Sequence, residues 1–205
     1  MGESQGDSRL EAFCDGVFAV ALTLLVIDIR LPADVHIAST KELWSTLSEL
    51  LPKLLAFLLS FTIIFITWVN HHGTLKLIDK SSSAFIFANG FLLLAIVFLP
   101  FTTALLSEYL FTDHPTAAVV VYAGVNALLA LAWVFLGHAA LGPHPLTKNE
   151  EATLTARAGQ RRSYLSLATN LLLVALAFWF PLVVALLLGA IWVGWLAYGL
   201  RIKHN

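Results

Sequence analysis

One carboxylate lies near the start of a long apolar segment at the beginning of the chain. The segment runs from Leu10 to Leu31, a length that can cross a bilayer, and it contains Asp15. A charged side chain in a membrane helix is costly, so it normally has a partner or belongs to an ion or proton pathway. His71 and Asn89 stand near the ends of two other apolar segments. We expect Arg9, a histidine and Asn89 to surround Asp15 in a buried polar network that either joins helices or contacts ions.

The other reactive residue types do not form a recognisable catalytic or metal-binding pattern. His71 and His72 are adjacent and point about 100° apart on a helix, so one ion cannot easily bind both. The spacings H-x-x-x-H and E-x-x-H are absent, as are the nucleophile motifs G-x-S-x-G and S-x-x-K. A single cysteine, Cys14, excludes a disulfide within the chain and a zinc site built on several thiolates. We therefore expect no metal, no cofactor and no enzymatic activity.

The composition indicates an integral membrane protein. Of the 205 residues, 59% are hydrophobic and 12% are charged, whereas ordinary soluble domains carry about 25% charged residues. The formal net charge of −1 gives no sign of a nucleic-acid partner.

The apolar segments predict an all-α protein with six membrane-spanning helices in one domain. Ser8 and Glu11 have the S-x-x-E spacing of a capping box, which predicts a helix start at Arg9. The last apolar block, 163–200, would form a helix about 57 Å long. This length exceeds the roughly 30 Å hydrocarbon core of a bilayer, so we divide the block at Pro181. The predicted spans are 9–31, 48–71, 84–107, 116–141, 163–180 and 182–200, and the polar stretch between the fourth and fifth is predicted to be a loop.

The distribution of basic residues predicts the orientation of these spans. With both termini in the cytoplasm, nine of the 12 Lys and Arg residues fall in cytoplasmic segments. This excess agrees with the positive-inside rule.

The first predicted helix has two different faces. Val20, Thr23, Leu24 and Ile27 form one stripe, which Phe13 extends towards the start of the helix. Asp15 lies about 140° from Val20 around the helix. If Asp15 faces other helices of its own subunit, the stripe faces either lipid or copies of itself around an axis.

The same helix carries a motif that resembles a known family. Arg9, Phe13, Cys14 and Asp15, followed by GVFA at 16–19, resemble the RxxxFSD signature of the transmembrane protein 175 family of potassium channels. The six-span layout, the sequence TWVNHH at the end of the second span and the Asn of the third also resemble its prokaryotic members. Cys14 stands where the signature has Ser, and a thiol is a weaker hydrogen-bond partner than a hydroxyl.

This resemblance implies an assembly and a set of functional residues. It implies a homotetramer in a prokaryotic plasma membrane, with a pore lined by the first helix of each subunit. By position, Val20, Leu24 and Ile27 match the bulky residues of the constriction, and Thr23 matches a threonine implicated in selectivity. The residues that match the network holding the pore helix, or its expected partners, are Arg9, Phe13, Cys14, Asp15, His71, His72 and Asn89.

We therefore expect a potassium-permeable channel with a hydrophobic gate. The sequence contains no T-V-G-Y-G segment, so selectivity must come from side chains and a narrow apolar constriction, which predicts modest preference for potassium over sodium. Asp28, near the outer mouth, either concentrates cations or pairs with Arg30. The alternative is a proton- or cation-coupled secondary transporter that uses Asp15 and the histidines at the membrane ends. Such a protein would require alternating access and usually an internal repeat, which we do not find.

Overall fold

The structure is a computed structural model that describes residues 3–31 and 37–202, with side chains for 8–31, 37–195 and 197. The described residues form a helical protein and contain no β-strand. The α-helices are α1 (Glu3–Leu24), α2 (Thr40–Glu49), α3 (Leu51–Leu77), α4 (Ser83–Tyr109), α5 (Thr116–Ala140), α6 (Glu150–Ala177) and α7 (Pro181–Ile202). A short 3-10 helix, Leu25–Asp28, follows α1 directly.

Four helical segments among the described residues are long and apolar enough to cross a membrane. They are Ser8–Asp28, Leu51–Leu77, Ser83–Tyr109 and Thr116–Ala140, and a shorter apolar helix covers Pro181–Trp195. Helices α1, α3, α4 and α5 pack against one another in sequence, α6 packs mainly on α5, and α7 returns against α3, α5 and α6. The core between them is aliphatic and aromatic, with Phe18, Ile63, Leu92 and Leu129 almost fully buried.

The beginning of α1 differs from the prediction. The helix starts at Glu3 and not at Arg9, so Ser8 lies inside it and the predicted capping box is wrong. The carboxylate of Glu11 contacts His72 of α3 instead, at 2.9 Å. The Glu11 side chain, which the local spacing assigned to a cap, makes a tertiary contact with His72 instead.

The polar stretch before the fifth predicted span is also different, because most of it is helix. Asn149 caps α6 by accepting a hydrogen bond from the backbone N–H of Ala152 at 2.8 Å. Glu150 and Glu151 occupy the first turn, where the helix dipole favours negative charge. Only the first eight residues of the predicted loop over 142–162 are therefore outside a helix. Helix α6 begins about 13 residues before the predicted span, and each of these residues adds about 1.5 Å to its length.

Helix α2 was not predicted, although its start has a sequence signature. Ser39 accepts a hydrogen bond from the backbone N–H of Glu42 at 3.2 Å, and the Glu42 carboxylate accepts one from the N–H of Ala38 at 2.7 Å. The S-x-x-E spacing of a capping box therefore marks a helix start at Ser39, whereas the same spacing at Ser8 lies inside α1.

The two connections at one end of the bundle are joined to each other. Residues Ile78 and Thr147 form an antiparallel bridge. The N–H of Asp79 donates to the carbonyl of Leu146 at 2.8 Å, and the N–H of Lys148 donates to that of Leu77 at 3.0 Å. We call this end, which holds residues 78–82 and 141–149, the basic end.

We expect Asn149→Ala to destabilise the beginning of α6. Loss of an N-cap side chain costs about 1 kcal/mol, and hydrogen exchange should accelerate at the amides of residues 151–153. Thermal unfolding in detergent and hydrogen–deuterium exchange measure the two effects. Lys148→Ala, next to the cap and outside the helix, is the control. Equal behaviour of the two variants would contradict the capping role.

Candidate functional site

The two faces of α1 have opposite environments within one subunit. Cys14, Phe18, Ala21 and Leu25 are at most 2% exposed and form part of the core. They recur every three or four residues, which places them on one side of the helix. The thiol of Cys14 therefore lies in the interior of the subunit.

The other face of α1 is apolar and exposed. Phe13 is 63% exposed, Val20 56%, Leu24 40% and Ile27 46%. Together with Val97 of α4, this face borders an open apolar groove. Extended exposed apolar surfaces commonly mark contacts with a partner or with lipid. We call Val20, Leu24 and Ile27 the α1 stripe.

The 3-10 segment keeps the end of the α1 stripe aligned. In a 3-10 helix, side chains three residues apart lie directly above one another. Ile27 therefore stays in line with Leu24, although α1 itself has already ended at Leu24. The change of helix type lengthens the stripe without rotating it.

Polar residues accompany the α1 stripe towards its far end. Thr23 is exposed, and its hydroxyl donates to the carbonyl of Val20 at 2.8 Å, so only its oxygen lone pairs remain available. Asp28 is also exposed. The guanidinium of Arg30 donates through Nε to the carbonyl of Ile27 at 2.7 Å, and Asp28 and Arg30 form no ion pair within the described ranges. The expected alternative of an Asp28–Arg30 pair is wrong.

Asp15 is held by a tryptophan. The indole N–H of Trp68 in α3 donates to Oδ1 of Asp15 at 2.8 Å. Trp68 also stacks on the ring of His72, with centroids 5.9 Å apart, and His72 Nδ1 lies 2.9 Å from Oε1 of Glu11. Asp15 and Glu11 of α1 are thus bound to one turn of α3.

His71 and Asn89 form a separate buried pair. Nε2 of His71 lies 2.7 Å from Oδ1 of Asn89, and Nδ2 of Asn89 donates to the carbonyl of Phe85 at 2.7 Å. The second bond orients the amide, so its oxygen accepts from His71 and the proton lies on Nε2. The ring of His71 packs on Phe18 of α1 at 5.4 Å between centroids.

The single network expected around Asp15 is therefore wrong in its connections. Asp15 binds Trp68, whereas His71 binds Asn89, so the two groups belong to separate hydrogen-bonded pairs. Arg9 and Phe13 are exposed and do not face the interior of the subunit. Phe13 precedes Asp15 by two residues, so about 200° of helix rotation separates them, and it lies on the side of the α1 stripe.

Trp68 and Glu11 are the residues that sequence reasoning missed. Glu11 was predicted to belong to a cap, and no role in binding Asp15 was predicted for Trp68. A usable signal was the three- or four-residue spacing of aromatic rings along α3. Neighbouring rings along this row lie 5.8 to 6.3 Å apart and position Trp68 against α1; the row consists of Phe57, Phe61, Phe65, Trp68 and His72.

Known proteins are similar to this chain in sequence over part of their length. The chain is similar to a potassium channel of Chamaesiphon minutus, with 47% identity over 133 residues, 65% of this chain and 64% of that one. It is also similar to a potassium channel of Streptomyces collinus, with 40% identity over 127 residues, 61% of this chain and 60% of that one. The matched region therefore spans less than two thirds of either channel.

A match over nearly the whole chain decides the family. The profile of the endosomal/lysosomal potassium channel TMEM175 matches residues 9–100. The crystal structure of a lysosomal potassium-selective channel TMEM175 homolog from Chamaesiphon minutus has 34% identity and a TM-score of 0.82, over 95% of this chain and 98% of that chain. The chain belongs to the TMEM175 family. The resemblance of the first helix is thereby confirmed, and this TMEM175 member is an integral membrane protein of an ion-channel family and not an enzyme.

The region that the TMEM175 profile matches contains both faces of α1 and the residues that bind it. Residues 9–100 include Asp15, Trp68, His71 and Asn89 as well as the α1 stripe. Helices α5 to α7 lie outside it, and the structural match extends over them.

We expect Trp68→Phe to weaken the attachment of α1. The ring would still stack on His72, but the partly buried Asp15 would lose its donor, which costs about 1 to 2 kcal/mol. Thermal unfolding in detergent measures the loss. Trp179→Phe is the control, because Trp179 is 73% exposed. A loss of the same size in both variants would show that the hydrogen bond to Asp15 contributes nothing.

Proposed function

We propose that this protein is a potassium-permeable channel of a prokaryotic plasma membrane whose pore is lined by α1 from four identical subunits. The single observation that carries this proposal is the exposure of the α1 stripe opposite a fully buried face. The nearby relatives are named potassium channels, and a TMEM175 homolog with the same fold is described as potassium-selective.

The geometry of α1 supports a position at a symmetry axis. A helix that is apolar on every side has either protein or lipid around it. Here one side is covered by the subunit itself, while the other carries aligned bulky residues next to a threonine and an exposed aspartate. Lipid alone gives no reason for exposed polar groups beside the α1 stripe, whereas a pore formed by several copies does.

The lengths of the helices support six spans in each subunit. Four are long and apolar by themselves. The apolar second half of α6 and helix α7 supply two more, joined by the short turn Phe178–Phe180. With six spans both termini and the basic end lie in the cytoplasm, in agreement with the positive-inside rule.

The gate is formed by the α1 stripe in this proposal. Rings of Val20, Leu24 and Ile27 around a narrow axis would resist wetting and so limit conduction. Potassium is the permeant ion, and no cofactor is needed. Because no T-V-G-Y-G filter is present in the sequence, the preference for potassium over sodium is modest, with Thr23 as the selectivity residue and Asp28 drawing cations to the outer mouth.

Asp15 has a structural task in this channel. Its hydrogen bond to Trp68, together with the Glu11–His72 contact and the His71–Asn89 pair packed on Phe18, holds α1 in one rotation. Arg9, Phe13 and Cys14 complete the signature on the same turns, and the exposed Arg9 and Phe13 are available to a neighbouring subunit.

We expect Leu24→Ala and Ile27→Ala to raise potassium flux in liposomes. Smaller side chains widen the constriction and admit water, and lowering the barrier by about 1.4 kcal/mol would raise the rate about tenfold. Leu186→Ala is the matched control, since Leu186 is 75% exposed on α7 and far from α1 in sequence. Unchanged flux in both α1 variants would exclude the proposed gate. Saturating flux that Asp15→Asn abolishes in a normally folded protein would favour the transporter instead.

We expect the purified protein to have the mass of four subunits. One chain has a mass of 22.4 kDa, so native mass spectrometry after release from detergent or nanodiscs distinguishes a tetramer from smaller assemblies. A monomer would exclude a pore formed by α1, because one helix cannot enclose a pathway. This measurement needs no variant.

A further inference from the structure

Three arginines of α6 stand where the helix changes from polar to apolar. Arg157, Arg161 and Arg162 are all exposed. Beyond them the helix consists mainly of Leu and Ala up to Ala177. In the proposed orientation this change lies at the cytoplasmic surface of the membrane.

These arginines have no carboxylate close to them. The sequence contains no Asp or Glu after Glu151, so no helical neighbour three or four residues away can pair with them. Among the described side chains none of the three forms an ion pair. Glu150, which shares the side of Arg157, lies two turns earlier, about 10 Å along the axis.

Two of the arginines share a face with exposed apolar residues. Arg157 and Arg161 lie about 40° apart around the helix, and Leu165 and Leu172 lie within about 80° of Arg157 on the same side. Leu165 is 70% exposed and Leu172 is 59% exposed. The two guanidinium groups and the apolar residues form a strip that extends about 22 Å from Arg157 to Leu172; we call it the α6 strip.

The α6 strip has a fixed orientation relative to α5. The hydroxyl of Tyr164, which borders the strip, lies 2.9 Å from Nε2 of His138. Gln160 is in tight contact with Gly137, and its Nε2 donates to the carbonyl of Val134 at 3.2 Å. These contacts hold the polar part of α6 on α5 and leave Arg157 and Arg161 free to bind a ligand.

We propose that the α6 strip binds an anionic phospholipid of the cytoplasmic leaflet. The phosphate lies between Arg157 and Arg161, and an acyl chain lies along Leu165 and Leu172. Guanidinium groups bind phosphate oxygens through paired, charge-assisted hydrogen bonds. Basic residues at the cytoplasmic boundary of membrane helices attract anionic head groups. A soluble anion would satisfy the arginines but would leave the adjoining apolar face uncovered, so the combination favours a lipid.

The test compares thermal unfolding of the purified protein in micelles containing phosphatidylglycerol or phosphatidylcholine. A ligand that binds only the folded state raises its stability, so phosphatidylglycerol should raise the midpoint and phosphatidylcholine should not. The double variant Arg157→Gln/Arg161→Gln should lose this rise. The matched double variant Lys148→Gln/Arg162→Gln removes the same charge but leaves the α6 strip intact, because Arg162 lies about 140° from Arg157, and it should keep the rise.

Several results would overturn the proposal. One is the same rise in both double variants, which would indicate attraction to net charge alone. Another is an equal rise with inorganic phosphate, which would indicate a site for soluble anions. If the first variant does not fold, native mass spectrometry of the unmodified protein decides: saturable retention of phosphatidylglycerol over phosphatidylcholine supports the α6 strip, and equal retention excludes it. None of these measurements uses ion flux, so failure of the lipid site and failure of the channel proposal are distinguishable.

Discussion

The rotation of α1 about its own axis depends on the hydrogen bond from Trp68 to Asp15. Apolar packing alone specifies this rotation weakly, because α1 carries aliphatic residues on both sides and either side can pack against a neighbour. A carboxylate cannot be exchanged in this way, since turning it towards lipid would remove its donor at a large cost. The indole N–H of Trp68 therefore favours the rotation of α1 in which Asp15 faces α3. The exposure of the α1 stripe is the consequence on the opposite side.

The neighbouring polar contacts reinforce the same rotation by different means. The contact between Glu11 and His72 is an ion pair only when the histidine is protonated, and both residues are partly exposed. The His71–Asn89 pair is fully buried and joins α3 to α4, while the His71 ring packs on Phe18 of α1. Removing one partner of the bond between His71 Nε2 and Asn89 Oδ1 would leave the other buried and unpaired, which costs more than a made bond contributes. The partly exposed Glu11–His72 contact and the buried His71–Asn89 pair thus both stabilise the orientation of α1.

Helix α6 combines two environments in one continuous element. Its first half is capped by Asn149 and carries the arginines, and its second half is apolar. Because Gln160 and Tyr164 attach the first half to α5, the change from polar to apolar occurs at a defined height of the bundle. A flexible loop, as predicted for residues 142–162, could not hold charged residues at a fixed depth. The helical extension therefore holds the arginines of α6 on a rigid surface next to the basic end.

Local sequence patterns determined the four long apolar helices, the division of α1 into two faces and the exposed character of Val20, Leu24 and Ile27. These features follow from helix periodicity and from the apolar lengths, which depend on residues a few positions apart. The partner of Asp15 was decided only by the tertiary structure, because Trp68 is 53 residues away in sequence. From the sequence, several other polar residues could equally have bound Asp15. The same holds for Glu11. Its spacing from Ser8 fits a cap, but the packing of α1 on α3 places it against His72. Periodicity specifies the direction in which a side chain points, whereas packing of whole helices decides which group it meets there.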